Sequence, residues 1–216
     1  MIELIVLLII AVFAIRATYK TDSDLSEIPE KMSLRLGKLW DIAYQGMREN
    51  KLLRAEKALL TILKIDEKNA AAYNRLGILY AKQKEFKDAI DCFEIASSIE
   101  KSASSLHNLG LIYYETGDYH RAAIAFDEAL QLEDKMAARH IAFAKVQEKL
   151  GNDKKMINEL EKAVNLEPNK ETSLLLLKAY ELQNMHEKAH ELAKKINKMG
   201  MAGKQRRVIR SPRVVI

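Results

Sequence analysis

Small residues recur along this chain at a nearly fixed interval, and that interval constrains the fold more than any other feature. Ala43, Gly77, Gly110, Ala144 and Leu177 are separated by 34, 33, 34 and 33 residues. A second register, Ala55, Ala89, Ala122, Met156 and Ala189, has the same four spacings, and so does a third, Ile62, Ala96, Ala129, Ala163 and Ile196. Three registers in phase require a repeated structural unit. A unit of this length cannot bury its apolar face alone, so copies must stack. With 3 Pro, 8 Gly and no Val/Ile/Thr alternation after the N-terminal run, each unit is expected to be a pair of helices. A small residue on each helix lets two helices approach closely while an aromatic ring fills the gap beside it.

The residues at fixed offsets carry a resemblance. Leu76-Gly77, Tyr80, Ala89, Phe93 and Ala96 in one unit, and Leu109-Gly110, Tyr113, Ala122, Phe126 and Ala129 in the next, are similar to the tetratricopeptide repeat family. The resemblance covers about 36 to 203, in repeats 36–69, 70–102, 103–136, 137–169 and 170–203. The flanking repeats drift: Ala43 replaces the glycine and Leu59 the phenylalanine of the first, and only Pro168 fills the proline slot. The expected fold is all-α, a right-handed superhelical solenoid of about five helix-turn-helix repeats, preceded by one N-terminal transmembrane helix.

That helix is read from residues 1–19. Leu4 to Ile15 are uninterruptedly apolar, extended by Met1 and Ile2 around Glu3, with Arg16 and Lys20 positioned to snorkel. A cleaved signal peptide competes, because Val12-Phe13-Ala14 offers a small-residue site, but no Lys or Arg precedes the apolar run. The cations at the far end of the run place the repeat domain in the cytoplasm of a single-pass membrane protein. Residues 20–35, with the acidic stretch TDSDLSEIPE, read as a solvated linker.

HEKAH, His186 to His190, matches the H-E-x-x-H pattern of zinc peptidases. The repeat frame gives another account. His186 shares a slot with Phe86 and Tyr119, and His190 with Ile90 and Ala123, so both belong to the second helix of the fifth repeat. Its single apolar stripe, Ala189, Leu192, Ala193 and Ile196, suits a solenoid cap. No Asp, Glu or His lies between Glu191 and Ile216 to serve as a third ligand. His107, His120 and His140 fall near helix starts in separate repeats. The expectation is therefore no enzyme, no metal site and no cofactor.

The resemblance implies a concave surface lined by the first helix of each repeat and used for protein segments. The offsets assign to it Trp40, Tyr44, Asn74, Ile78, His107, Asn108, Tyr114, Ile141 and Lys145. Some family members clamp a C-terminal carboxylate with Lys and Asn. The corresponding positions here are Asn74, Ile78, Asn108, Ala138 and Ala142, of which only Asn108 agrees, so that mode is not expected.

The chain has 35 basic and 30 acidic residues. Lys204, Arg206, Arg207, Arg210 and Arg213 account for the whole excess, so the net +5 lies in residues 204–216, read as a basic disordered tail. Its expected contact is weak attraction to anionic lipid, with no specific nucleic acid, since it lacks an aromatic stacking platform. The layout of anchor, short linker and repeats is similar to the lipopolysaccharide assembly protein B family, and also to mitochondrial outer-membrane receptors. The former ends in a rubredoxin-like module on Cys-x-x-Cys pairs, which the lone Cys92 cannot build. The functional expectation is a membrane-anchored adaptor or scaffold that binds protein partners through its groove, in envelope biogenesis or complex assembly. The competing classes are an exported chaperone for secretion, pilus or envelope assembly, and the zinc peptidase.

Overall fold

The computed structural model describes residues 31–208, with side chains for 31–199. Ten α-helices and no strand occur among the described residues: α1 over 31–48, then α2 (Leu52–Ile65), α3 (Ala70–Gln83), α4 (Phe86–Ile99), α5 (Ala103–Glu115), α6 (Tyr119–Leu132), α7 (Ala137–Lys149), α8 (Asp153–Leu166), α9 (Lys170–Leu182) and α10 (His186–Val208). The expected anchor over 1–19 and most of the linker lie outside the described residues. Among those described, no helix is long and apolar enough to cross a membrane. Helix α10 continues past residue 203, where the array was expected to end, as far as Val208.

The period is written into the turns as well as the helices. Asn50, Lys84, Gly117, Gly151 and Asn184, again 34, 33, 34 and 33 apart, are the residues with left-handed φ among those described, from 55° to 82°. Each follows the first helix of a pair. The next residue's N–H then donates to the carbonyl five positions back at 2.8–2.9 Å, as in Lys51 to Gly46, Asp118 to Tyr113 and Met185 to Tyr180. That bond satisfies a carbonyl at the helix end and reverses the chain. Gly and Asn enter the left-handed region cheaply; Lys84 does so at a steric cost of about 1 kcal/mol.

The second helices of the first four pairs end at Asp66, Glu100, Glu133 and Glu167, the first three in extended backbone, and their N–H groups bond to Ile62, Ala96, Ala129 and Ala163. Those acceptors are the third sequence register. Side-chain caps then open the next helix: Asn69 accepts from the Ala72 N–H at 2.9 Å, Ser102 from Ser105 at 3.1 Å and Asn169 from Thr172 at 2.8 Å. Met136, before α7, supplies no cap.

The chain divides into two compact units, Met1–Leu79 and Tyr80–Ile216. In the first, Ala43, Ala55, Leu59, Ile62, Ala72, Leu76 and Leu79 are buried. Gly46 is needed there because a Cβ would meet the backbone N and Cβ of Ala55 at 3.0 Å. In the second, α5 packs on α6 and α7 on α8, and α4–α5, α6–α7 and α8–α9 join successive pairs. Phe126 is fully buried against Gly110, where a Cβ would meet three ring carbons at 3.0 Å. Toward the C-terminus Met156, Leu160, Leu176, Tyr180, Leu192 and Ile196 form one apolar cluster.

Candidate binding groove

The nine residues expected to line a groove fall in both units. In the first, Trp40 and Tyr44 sit one turn apart on α1, stacked at 5.5 Å, and the Arg75 guanidinium lies 5.1 Å above the Tyr44 ring. Tyr44 is exposed; Trp40, Asn74 and Ile78 are half-buried. This face offers an aromatic pair with a cation over it.

In the second unit α5, α7 and α9, each the first helix of its pair, line two cavities. One, of about 290 Å³, lies between α5 and α7 and is walled by His107, Leu111, Tyr114, Glu115, Ala138, Ile141, Ala142 and Lys145, with Phe126 at its floor. The other, of about 320 Å³, lies between α7 and α9 and is walled by Tyr114, Ile141, Lys145, Glu148, Lys149, Leu175, Lys178 and Leu182 over Met156 and Leu160. Tyr114, Ile141 and Lys145 belong to both, so the cavities adjoin across α7. The structure thus brings together His107, Tyr114, Ile141 and Lys145; Asn108, half-buried on α5, lines neither cavity.

The offsets missed the α9 wall. Leu175 and Leu182 are exposed, at 39% and 59%, and Lys178 lies on the same helix. The run SLLLL signalled it, since no helix one face wide can bury four consecutive leucines. Of that run Leu176 is buried, Leu177 half-buried, and Leu174 and Leu175 exposed.

His107 stands at the edge of the α5–α7 cavity with its ring edge-on to Phe126 at 5.3 Å and its Nδ1 buried without a partner. Burial holds its pKa below the ordinary value, and the positive charge of Arg139 adds to the effect. The ring is neutral at pH 7 and acts as a wall rather than a cation.

A second titratable cluster lies away from this groove. His140, expected only as a residue near a helix start, is buried: its Nδ1 is 2.6 Å from Glu159 and its Nε2 is 2.7 Å from the Asp134 carbonyl. A carbonyl can only accept, so Nε2 carries a proton. Lys162 donates to the other Glu159 oxygen at 2.7 Å. These groups border a cavity of about 550 Å³ with Asp127, Gln131 and Asn165. Every polar atom of the His140–Glu159 pair has a partner, so the cluster fastens α7, α8 and the preceding loop rather than presenting a reactive group. Its signal in the sequence is that His140 and Glu159 occupy slots held by Leu106 and Ala125 one repeat earlier.

HEKAH opens α10. His186, Glu187 and His190 are exposed, while Ala189, Leu192 and Ile196 face inward and Ala193 is half-buried. Lys188, inside the motif, pairs with Glu161 at 3.1 Å and covers the Tyr180 ring at 5.4 Å. Among the described residues no three His, Cys, Asp or Glu side chains gather as a metal site. Cys92 is buried, and burial, with Asp88 and Asp91 nearby, pushes its thiol up to about 11.

Comparison with known proteins accords with this geometry. Residues 67–135 and 139–170 each match a tetratricopeptide repeat model. No curated protein matches the chain in sequence. Among solved structures, a crystal structure of MamA protein is 20% identical with a TM-score of 0.69, covering 84% of this chain and 98% of the other. MamA 41-end from Desulfovibrio magneticus RS-1 is 15% identical with a TM-score of 0.69, over 78% and 96%. YrrB, described as a TPR protein with an unusual peptide-binding site, is 20% identical with a TM-score of 0.61, over 73% and 82%. At such identities the likeness concerns the fold alone. The chain carries tetratricopeptide repeats, folded as helix pairs of the kind these proteins contain.

Proposed function

We propose that the chain is a binding protein rather than an enzyme: an adaptor whose α5, α7 and α9 face captures segments of other proteins. The observation that carries this reading is the pair of adjoining cavities, floored by Phe126, Met156 and Leu160 and rimmed by exposed leucines and lysines. Apolar sockets with a few polar groups at the rim are what a peptide side chain needs for affinity and orientation. The peptide-binding site of YrrB, on the same kind of fold, lends support. Trp40 and Tyr44 on the first unit offer further aromatic contact area.

The setting we propose is a membrane surface. Leu4 to Ile15 supply the apolar run of an anchor, and Arg16 and Lys20 favour a cytoplasmic repeat domain. The basic residues of 204–216 would then meet anionic headgroups. The layout shared with the lipopolysaccharide assembly protein B family suggests envelope biogenesis as the context.

The test is a pull-down of detergent-solubilised full-length protein from its native cell, beside Tyr114→Ala/Leu175→Ser/Leu182→Ser. Partners lost only in the variant support the adaptor reading, and equal capture by both baits refutes it. Alkaline extraction of membranes tests the anchor, and N-terminal sequencing separates it from export: mature protein beginning after Ala14 would replace the anchored adaptor by an exported chaperone.

A further inference from the structure

From the charge arrangement we infer that the α7–α9 cavity selects a partner segment in which acidic residues flank a large apolar side chain. This deepens the adaptor reading and rests on it. Lys145 and Lys149 lie one turn apart on α7, and Lys178 faces the same cavity from α9. Like charges four residues apart disfavour a helix, and one acid, Glu148, stands between them. None of the three lysines makes an ion pair among the described residues, although other surface lysines do, Lys101 with Glu128 at 2.6 Å and Lys188 with Glu161 at 3.1 Å.

Glu148 is the single acid on this cavity, so the rim carries three cations against one anion. The floor has the opposite character. Met156 and Leu160 are buried beneath it, and Leu175 and Leu182 stand exposed at its wall. An apolar side chain seated there covers leucine surface, and carboxylates on either side of it reach the ammonium groups. A basic segment would bring like charges together around the same socket. A cationic rim around an apolar floor therefore specifies acidic–apolar sequence, and its three cations come from two helices whose spacing is fixed by the repeat. The α5–α7 cavity is lined by one cation, Lys145, and one acid, Glu115, so it has no such bias and accepts the neighbouring residues of the segment.

The probe is a short fluorescent peptide of alternating glutamate and leucine, titrated into purified full-length protein in detergent and read by anisotropy against a detergent blank. Two control peptides replace every glutamate by lysine or every leucine by alanine. The glutamate–leucine peptide is expected to bind, both controls to bind at least about tenfold more weakly, and Lys145→Glu/Lys178→Glu to weaken the first peptide about tenfold or more. Equal or tighter binding of the lysine peptide, or no change in the charge-reversal variant, would overturn the inference.

A parallel pull-down keeps this apart from the adaptor reading. Partners lost in Leu175→Ser/Leu182→Ser but kept in Lys145→Glu/Lys178→Glu would leave an adaptor without acidic selectivity. Partners kept in both variants would remove the adaptor reading itself. Self-association of the full chain that charge reversal abolishes would assign the cavity to a second copy, through its own acidic stretch over 21–30, and would also overturn the inference.

Discussion

The α5–α6 and α7–α8 pairs have the same backbone plan and hold themselves together by different chemistry. In α5–α6 a phenylalanine ring closes on a glycine, Phe126 on Gly110, and Leu106, Leu109 and Ile112 complete the interior. In α7–α8 the corresponding slots hold Leu160 and Ala144, and α7 buries Arg139, His140 and Gln147. Arg139 donates to the Glu133 carboxylate at 2.6 Å and to its carbonyl at 3.1 Å, and His140 is bound to Glu159. The contacts between pairs differ in the same way. Tyr113 donates to Glu94 at 2.7 Å and Tyr180 to Glu161 at 2.6 Å, each joining a first helix to the second helix before it. At the intervening position stands Gln147, which instead accepts from Asn152 at 2.9 Å. One repeat plan tolerates an apolar or an ionic interior, with the His140–Glu159 pair fully satisfied and Arg139 Nε and His107 Nδ1 left as buried atoms without a partner.

The comparison can be broken most severely at the ionic pair. Glu159→Ala is expected to destabilise by about 3–5 kcal/mol, because it removes one partner of a buried pair and leaves the His140 Nδ1 with nothing to bond. His140→Leu/Glu159→Ala, which installs the residues of the α5–α6 slots, should return stability to within about 1 kcal/mol of the parent, less whatever the freed Asp134 carbonyl costs. Denaturant midpoints for the single and double variants decide it. If the double variant is as unstable as the single, the two chemistries are not interchangeable.

At the apolar pair, Phe126→Ala should cost about 3–5 kcal/mol for the lost burial and the cavity it leaves. A milder contrast comes from the small residues themselves. Gly110→Ala pushes a methyl into a fully buried ring and should cost about 1–3 kcal/mol, whereas Ala144→Gly, in the same slot one repeat later, should cost only about 1 kcal/mol of helix propensity. Thermal melts of the two single variants rank them.

The smallest expected effect is on pH dependence. His107 is held neutral in the folded protein, so its folded-state pKa lies below its unfolded one. Its contribution is fully present above about pH 6.5 and is lost as the pH falls, because the unfolded chain takes up a proton that the folded chain refuses. His107→Gln should flatten the stability profile below about pH 6.5, by well under the single-group ceiling of about 1.4 kcal/mol per pH unit. Glu161 behaves in the opposite chemical sense. The Tyr180 hydroxyl, and then Lys188, hold its carboxylate below the usual range, so its share is lost only below about pH 4.5. The two windows open at different pH, near 6.5 for His107 and near 4.5 for Glu161, and urea titrations at several pH values separate them.

The fold was legible because it is set by a period. Once Gly77, Gly110, Ala89, Ala122, Phe93 and Phe126 stand at fixed offsets, helix pairs follow from close packing, and the left-handed turn residues obey the same count. The α5–α7 part of the groove was legible for the same reason: His107, Tyr114, Ile141 and Lys145 were placed by offset and border the cavities. Leu175, Lys178 and Leu182 were not, since which leucines of SLLLL stay exposed depends on how α9 rotates against α8 and α10. The His140–Glu159 pair was hidden because its members are 19 residues apart and neither belongs to a motif. HEKAH was legible through the repeat frame, as the start of a helix that turns Ala189 inward and leaves His186, Glu187 and His190 outward.

The central claim is that partners dock on the α5, α7 and α9 face. The most direct measurement is site-specific photo-crosslinking in the native cell, with the photoreactive residue at Leu182 in the groove or at Ile124, which is 60% exposed on α6 and lines neither cavity. A discrete adduct from position 182, absent from position 124 and lost when Tyr114 and Leu175 are also replaced, is the predicted result. An adduct from position 124 alone would contradict the account and place the binding surface on the second helices of the repeats.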